Sequence, residues 1–104
     1  MASHDRLDLH KELIDLFSPN KVYYEPPETA SMVYPCIVYY KDYIKTEKAN
    51  DFNYIKLNRY QLTVIDRNAD NPVIREILDR FRSSSYDRHY IADGLHHDVI
   101  TLYY

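Results

Sequence analysis

Hydrophobic and polar positions alternate most cleanly between Arg59 and Val64. Tyr60, Leu62 and Val64 fall on one side of the pattern and Arg59, Gln61 and Thr63 on the other, the period of two that a half-buried strand requires. The strand reads on to Arg67, and Asn68-Ala69-Asp70-Asn71 interrupts it as a turn. From Pro72 to Phe81 the period becomes helical. Ile74, Ile77, Leu78 and Phe81 share one face, opposite Arg75, Glu76, Asp79 and Arg80. The start of this helix is marked twice: Asn71 can accept from the first free backbone donors, and Pro72 has no donor to lose at the first helical position.

Ser3 to Phe17 predicts an amphipathic helix, with Ser3 as cap, Asp5 in the first turn, and Leu9, Leu13, Leu16 and Phe17 on one side. Pro19 and Asn20 end it. Lys21 to Glu25 predicts a short strand stopped by Pro26-Pro27, and Glu28 to Pro35 a loop. Cys36 to Tyr40 is a continuous apolar run, as in a strand covered on both faces. From Lys41 to Lys48 the strand turns strongly charged, as though it leaves the core. Ala49-Asn50-Asp51 is the predicted reversal, and Phe52 to Lys56 brings the chain back, which makes a long projecting hairpin. Ser83 to Ser85 reads as a loop. Gly94, the only glycine, follows Asp93 between two strand-like runs, and Asp-Gly there predicts a tight hairpin turn. With those two as the central pair, Ala92 faces Leu95, Ile91 faces His96, Tyr90 faces His97, and His89 faces Asp98. The final strand sets Ile100, Leu102 and Tyr104 against Val99, Thr101 and Tyr103. These elements make one α+β domain over residues 1–104: two helices and a mostly antiparallel sheet in the order α-β-β-β-α-β-β, with a long projecting hairpin between the second and third strands.

Composition narrows the function. The formal net charge is -3, which indicates neither a polyanion-binding surface nor disorder. Tyrosine occurs 12 times against 3 Phe and no Trp. Tyrosine suits surfaces that are apolar on one side and wet on the other, and 12 is too many for one small core, so part of it points to an interface. The one cysteine, Cys36, has no internal partner and reads as a buried, inert thiol. No signal-peptide pattern or long apolar run occurs, and synthesis in a reducing cytosol is expected.

A phosphate-cradling loop needs several glycines, a thiolate zinc site more than one cysteine, and a serine nucleophile a base and an oxyanion site; the sequence offers none of these. In the hairpin register, His89, His96 and Asp98 share a face, a set that can hold a divalent metal. The competing account is a cross-strand His–Asp hydrogen bond beside a second, solvated His, so the trio is expected to be structural, with no catalytic residue, cofactor or metal. Lys41, Lys45, Lys48, Lys56 and Arg59 interleave with Tyr39, Tyr40, Tyr43, Tyr54 and Tyr60, superficially a single-strand nucleic-acid surface. Asp42, Glu47 and Asp51 lie among them, so a hairpin that meets solvent or a neighbouring subunit is the better account. The expected contact residues are Tyr39, Lys41, Tyr43, Lys45, Lys48, Phe52, Tyr54 and Lys56.

The chain also resembles the tail-completion proteins of long-tailed bacteriophages, the tail terminators and tail-to-head joining proteins. The likeness rests on the N-terminal helix, the Tyr34-Pro35-Cys36-Ile37-Val38-Tyr39 entry to the first long strand, and the strand from Asn58 to Asp66 running into Asn71-Pro72-Val73-Ile74. It is completed by the closing Tyr90-Ile91-Ala92-Asp93 and Val99 to Tyr104 hairpin. The resemblance implies a structural virion protein and no enzyme. It implies a homo-oligomeric ring, commonly a hexamer, at the head-proximal end of the tail. Such a ring ends tube growth, contacts the tail tube protein, and offers the head-completion connector its docking surface. DNA would pass through without specific binding, no membrane would be involved, and the protein would occur in host cytoplasm during assembly and in the virion neck afterwards. Two alternatives stay open: a head-completion or stopper protein of the same neck, or a small cytosolic module that binds protein or nucleic acid.

Overall fold

A computed structural model describes residues 6–27, 31–48 and 54–104, with the backbone alone of 47–48 and 54–56. The elements are α1 (Arg6–Leu16), β1 (Val22–Tyr24), β2 (Cys36–Lys48), β3 (Tyr54–Asp66), α2 (Val73–Arg80), β4 (Ser84–Ala92) and β5 (Leu95–Tyr103). The fold is α+β, in the order read from the sequence. Its five strands form one sheet in the order β1-β2-β3-β5-β4. Every neighbouring pair is antiparallel except β1 and β2. Ser3 and Asp5 at the first helix, and the reversal at Ala49-Asn50-Asp51, lie outside the described residues.

Both helices pack on one face of the sheet. Leu9 and Leu13 from α1 and Val73, Ile74 and Ile77 from α2 join Ile37, Tyr39, Tyr60, Leu62, Val64, Ile100 and Leu102 in a single core, with Phe81 just past the helix end. Each fully buried aliphatic side chain of this kind adds roughly 1.5–3 kcal/mol. The helix starts at Val73, one residue later than the sequence places it, with Pro72 as its cap; Asn71 Oδ1 accepts from the Val73 amide at 3.0 Å, and its Nδ2 donates to Asp66 at 2.8 Å. Across the layers, Glu12 of α1 accepts from Arg80 of α2 at 3.2 Å and from the Tyr104 hydroxyl at 2.5 Å. These partly exposed contacts orient the two helices more than they stabilise them.

Two expectations are corrected. Ser84 and Ser85 open β4 rather than forming a loop, pairing with Leu102 and Thr101. The Ser84 hydroxyl donates to the Phe81 carbonyl at 2.5 Å, which satisfies an acceptor at the helix end and lets the chain turn directly into the strand. The run Cys36–Tyr40 is not covered on both faces. Helices cover only the Ile37 and Tyr39 side; Cys36 is buried on the other, but Tyr40 there is 40% exposed and donates to Gln61 on the neighbouring strand.

The Asp93-Gly94 turn has both central residues at positive φ, 53° and 73°, the geometry that matches the right-handed twist of a two-residue hairpin. The pairing follows: Ala92 with Leu95, Ile91 with His96, Tyr90 with His97 and His89 with Asp98, the register read from sequence.

Candidate functional site

Two regions stand out from the core: the outer half of the β2–β3 hairpin and a polar cluster on β4 and β5. The hairpin strands are 13 residues each, about 43 Å at a rise of ~3.3 Å per residue, and the molecule measures 51 × 24 × 23 Å. Core support ends well before the hairpin does. β1 pairs with β2 only as far as Tyr39, and β5 pairs with β3 only from Arg59 onward. Beyond those points, among the described residues, β2 has no neighbour on its outer edge.

A β-bulge between Lys41 and Tyr43 marks the point of departure. The extra residue is Asp42, whose carboxylate accepts from Arg59 Nε at 2.9 Å. That bond is the main cause of the raised Arg59 pKa, with a second hydrogen bond donated to Tyr103. The guanidinium also lies 4.9 Å from the centre of the Tyr43 ring. Bulges bend a strand and reverse the faces of the residues beyond them. Lys41 still opposes the core residue Tyr60, whereas Tyr43 opposes Arg59 and joins Tyr40 on the helix-free face. Lys45 follows, its Nζ 5.6 Å from the Tyr103 ring centre.

The expected contact residues divide accordingly. Lys41, Tyr43 and Lys45 are exposed, and Tyr43 (54%) and Ile44 (48%) put one large apolar side chain on each face of the projecting part. Lys48 pairs with Tyr54 and Lys56 with Thr46 on the hairpin ladder; Phe52 lies outside the described residues. Tyr39 is a correction. It is fully buried, with its ring 5.0 Å from Tyr24 and 6.0 Å from Tyr60. It precedes the bulge and faces the helices, so it belongs to the core and has no surface to offer a neighbour. Its hydroxyl lies 2.6 Å from His10 Nδ1 on α1, which satisfies the one polar atom that its burial would strand. Ile44, absent from the expected set, was hidden among charged residues; past the bulge it opposes Asn58 on the helix side of the sheet and is exposed because no core residue of either helix reaches that far along the hairpin.

Two of the hairpin's basic residues are engaged within the chain. Arg59 is paired with Asp42 and Lys45 sits against an aromatic ring.

The second region centres on Asp98, which is only 7% exposed. His89 Nδ1 lies 2.7 Å from Asp98 Oδ1, and the Tyr86 hydroxyl donates to the same oxygen at 2.5 Å. That hydrogen bond, with burial and the carboxylate's charge behind it, pushes the Tyr86 pKa up to about 12. His96 Nδ1 lies 3.2 Å from His89 Nε2. The cluster borders a cleft of about 600 Å³ against the start of α2, lined also by Asp70, Asn71, Ile74, Arg75 and Leu78. Sequence reading found His89, His96 and Asp98 but missed Tyr86. Three residues from His89, Tyr86 belongs by simple alternation on the opposite face. A second bulge, between Tyr86 and Arg88, adds one residue and turns both side chains toward Asp98.

No protein-family model matches the chain. Among curated proteins it is similar to a probable serine/threonine-protein kinase KIN1 homolog of Encephalitozoon cuniculi (strain GB-M1), 31% identical over 88 residues. The matched stretch is 85% of this chain and 15% of that protein, so the chain spans a small fraction of the relative's length.

Proposed function

We propose that this chain is a structural protein of a bacteriophage neck: a tail-completion subunit that assembles as a ring on the head-proximal end of the tail tube, stops its growth and joins the tail to the head connector. The observation that carries this reading is the β2–β3 hairpin, two strands longer than the core they serve. Its outer β2 edge lacks a neighbour among the described residues, and its surface bears Tyr43 and Ile44 beside charged positions. An open strand edge is a template for pairing with another chain. A patch at one end of a subunit that fits a different patch on the next makes a head-to-tail contact, which closes as a ring when the rotation allows. The whole-chain likeness to tail terminators supports the same reading. The kinase activity named for the partial relative is not part of this reading. Kinase phosphate loops use several glycines over the nucleotide, whereas the single glycine here, Gly94, sits in a hairpin turn.

The test is genetic and visual. Phage lacking the protein should make normal filled heads together with tails that are overlong or unable to join. Filled heads that leak DNA, alongside tails of normal length, would assign the protein to the head-side stopper and overturn the terminator reading.

A further inference from the structure

His89 and His96 stand diagonally across the β4–β5 ladder, since His89 pairs with Asp98 and His96 with Ile91. Their ring centres are 5.2 Å apart. The buried partner decides which nitrogen carries which proton. Asp98 Oδ1 already accepts the Tyr86 hydroxyl hydrogen, and an ionised carboxylate has no hydrogen to give. The 2.7 Å contact to His89 is therefore donated by Nδ1–H. In the neutral ring this leaves Nε2 as a bare lone pair, directed away from Asp98 and toward His96.

A histidine that donates one nitrogen to a carboxylate and keeps the other bare has the arrangement of a metal ligand with its outer-sphere partner in place. The second nitrogen is at the right distance. Two nitrogens bound at about 2.0–2.1 Å to one tetrahedral ion lie roughly 3.3 Å apart, and His89 Nε2 and His96 Nδ1 are 3.2 Å apart. We infer that His89 and His96 form a two-nitrogen site for a borderline divalent cation, zinc, nickel or copper, with Asp98 as the positioning carboxylate. Imidazole nitrogen suits these ions, whereas magnesium and calcium select oxygen. Rotation of both rings, about 35° off the present N···N line for a tetrahedral ion, directs their lone pairs onto a shared site. His96 moves its proton from Nδ1 to Nε2, so neutral rings bind without net proton release. Among the described residues no group of three or more His, Cys, Asp or Glu is placed to hold a metal. The remaining coordination positions therefore go to water or to a donor from another molecule. The His–Asp and Tyr–Asp hydrogen bonds stand without the ion, so the ion adds to a finished fold. The site is independent of the ring reading.

Tag-free protein titrated with ZnCl₂, NiCl₂ and CuCl₂ in a calorimeter tests this. For at least one ion the expected result is a single saturating equivalent, a thermal midpoint raised by that ion, and ring NMR signals of His89 and His96 that move together. His96→Ala should abolish the binding. His97→Ala should retain it, because His97 lies on the other face with Nδ1 3.0 Å from the Leu95 carbonyl. Asp98→Asn should weaken binding by about 10–100-fold, with circular dichroism to confirm the fold; should that variant not fold, the two histidine variants carry the test. No saturable binding by any of the three ions, or binding that His96→Ala leaves intact, overturns the proposal.

Discussion

The Cys36 thiol lies at 0% exposure on the helix-free side of β2, and burial pushes its pKa up to about 11 from an ordinary 9.0. The thiolate is the reactive species, so this shift alone lowers the reactive fraction at pH 8 by about 100-fold relative to an exposed thiol. A disulfide reagent such as DTNB should therefore label Cys36 at least that much more slowly in the folded protein than in denaturant. Labelling at equal rates would place the thiol at the surface. His10 shows burial acting on a base. Desolvation first, and then the Arg6 charge, lower its pKa below 6.5, and its Nδ1, 2.6 Å from the Tyr39 hydroxyl, can accept from that hydroxyl only while the ring is neutral. Below pH 6.5 the unfolded chain takes up a proton that the folded chain resists. Stability is then fully present above pH 6.5 and falls as pH drops toward the folded value. Denaturant midpoints measured from pH 7.5 to 5 should decline, and His10→Gln should flatten the decline; an unchanged slope in that variant would mean that other groups set it.

The second helix supplies the clearest prediction at the scale of elements. Ile77 is fully buried in the middle of α2, and Ile77→Ala should destabilise the fold by about 2–5 kcal/mol, mostly through the cavity left behind. An effect below about 1 kcal/mol, in the range of surface changes, would place the helix away from the sheet. In the closing hairpin, Gly94 sits at φ 73° with open space where a Cβ would project. Gly94→Ala should therefore lose only the backbone term, about 1–2 kcal/mol, read as a shift in the same denaturant midpoint. These elements were legible because the sequence signals each one locally: the alternation around Tyr60, Leu62 and Val64, the Asn71-Pro72 start, and the Asp93-Gly94 turn. The two bulges were not legible. Nothing about Asp42 or Asp87 as residue types marks an inserted position, since a bulge is a property of the ladder and needs both strands to define it. Each bulge moved one tyrosine across the sheet. Asp42 sends Tyr43 outward with Tyr40, and Asp87 brings Tyr86 inward to Asp98. The buried fate of Tyr39 was hidden for a related reason. An unbroken apolar run does not say which of its faces meets the helices.

At the scale of the molecule, tyrosine is divided between two tasks. Tyr39 and Tyr60 fill the core where β2 and β3 part from it, while Tyr40, Tyr43, Tyr86 and Tyr90 are at least 40% exposed. A ring subunit that uses its projecting hairpin for contact gains free energy from a matching template and must order its side chains to do so. The isolated protein is accordingly expected to sediment mostly as monomer at low concentration and to form a ring on the end of a tail tube. Removing residues 46–53 separates this idea from a purely internal role for the hairpin. Among the described residues the core cluster takes nothing from β2 beyond Tyr39 and nothing from β3 before Tyr60, so the shortened chain should stay folded, with a denaturant midpoint close to that of the full chain, yet fail to complete tails in a mixture of purified tubes and filled heads. If the deletion unfolds the monomer, the hairpin belongs to the core. If shortened protein completes tails as well as the full chain, the subunit contacts lie elsewhere, and the open edge of β2 is not what the ring is built on.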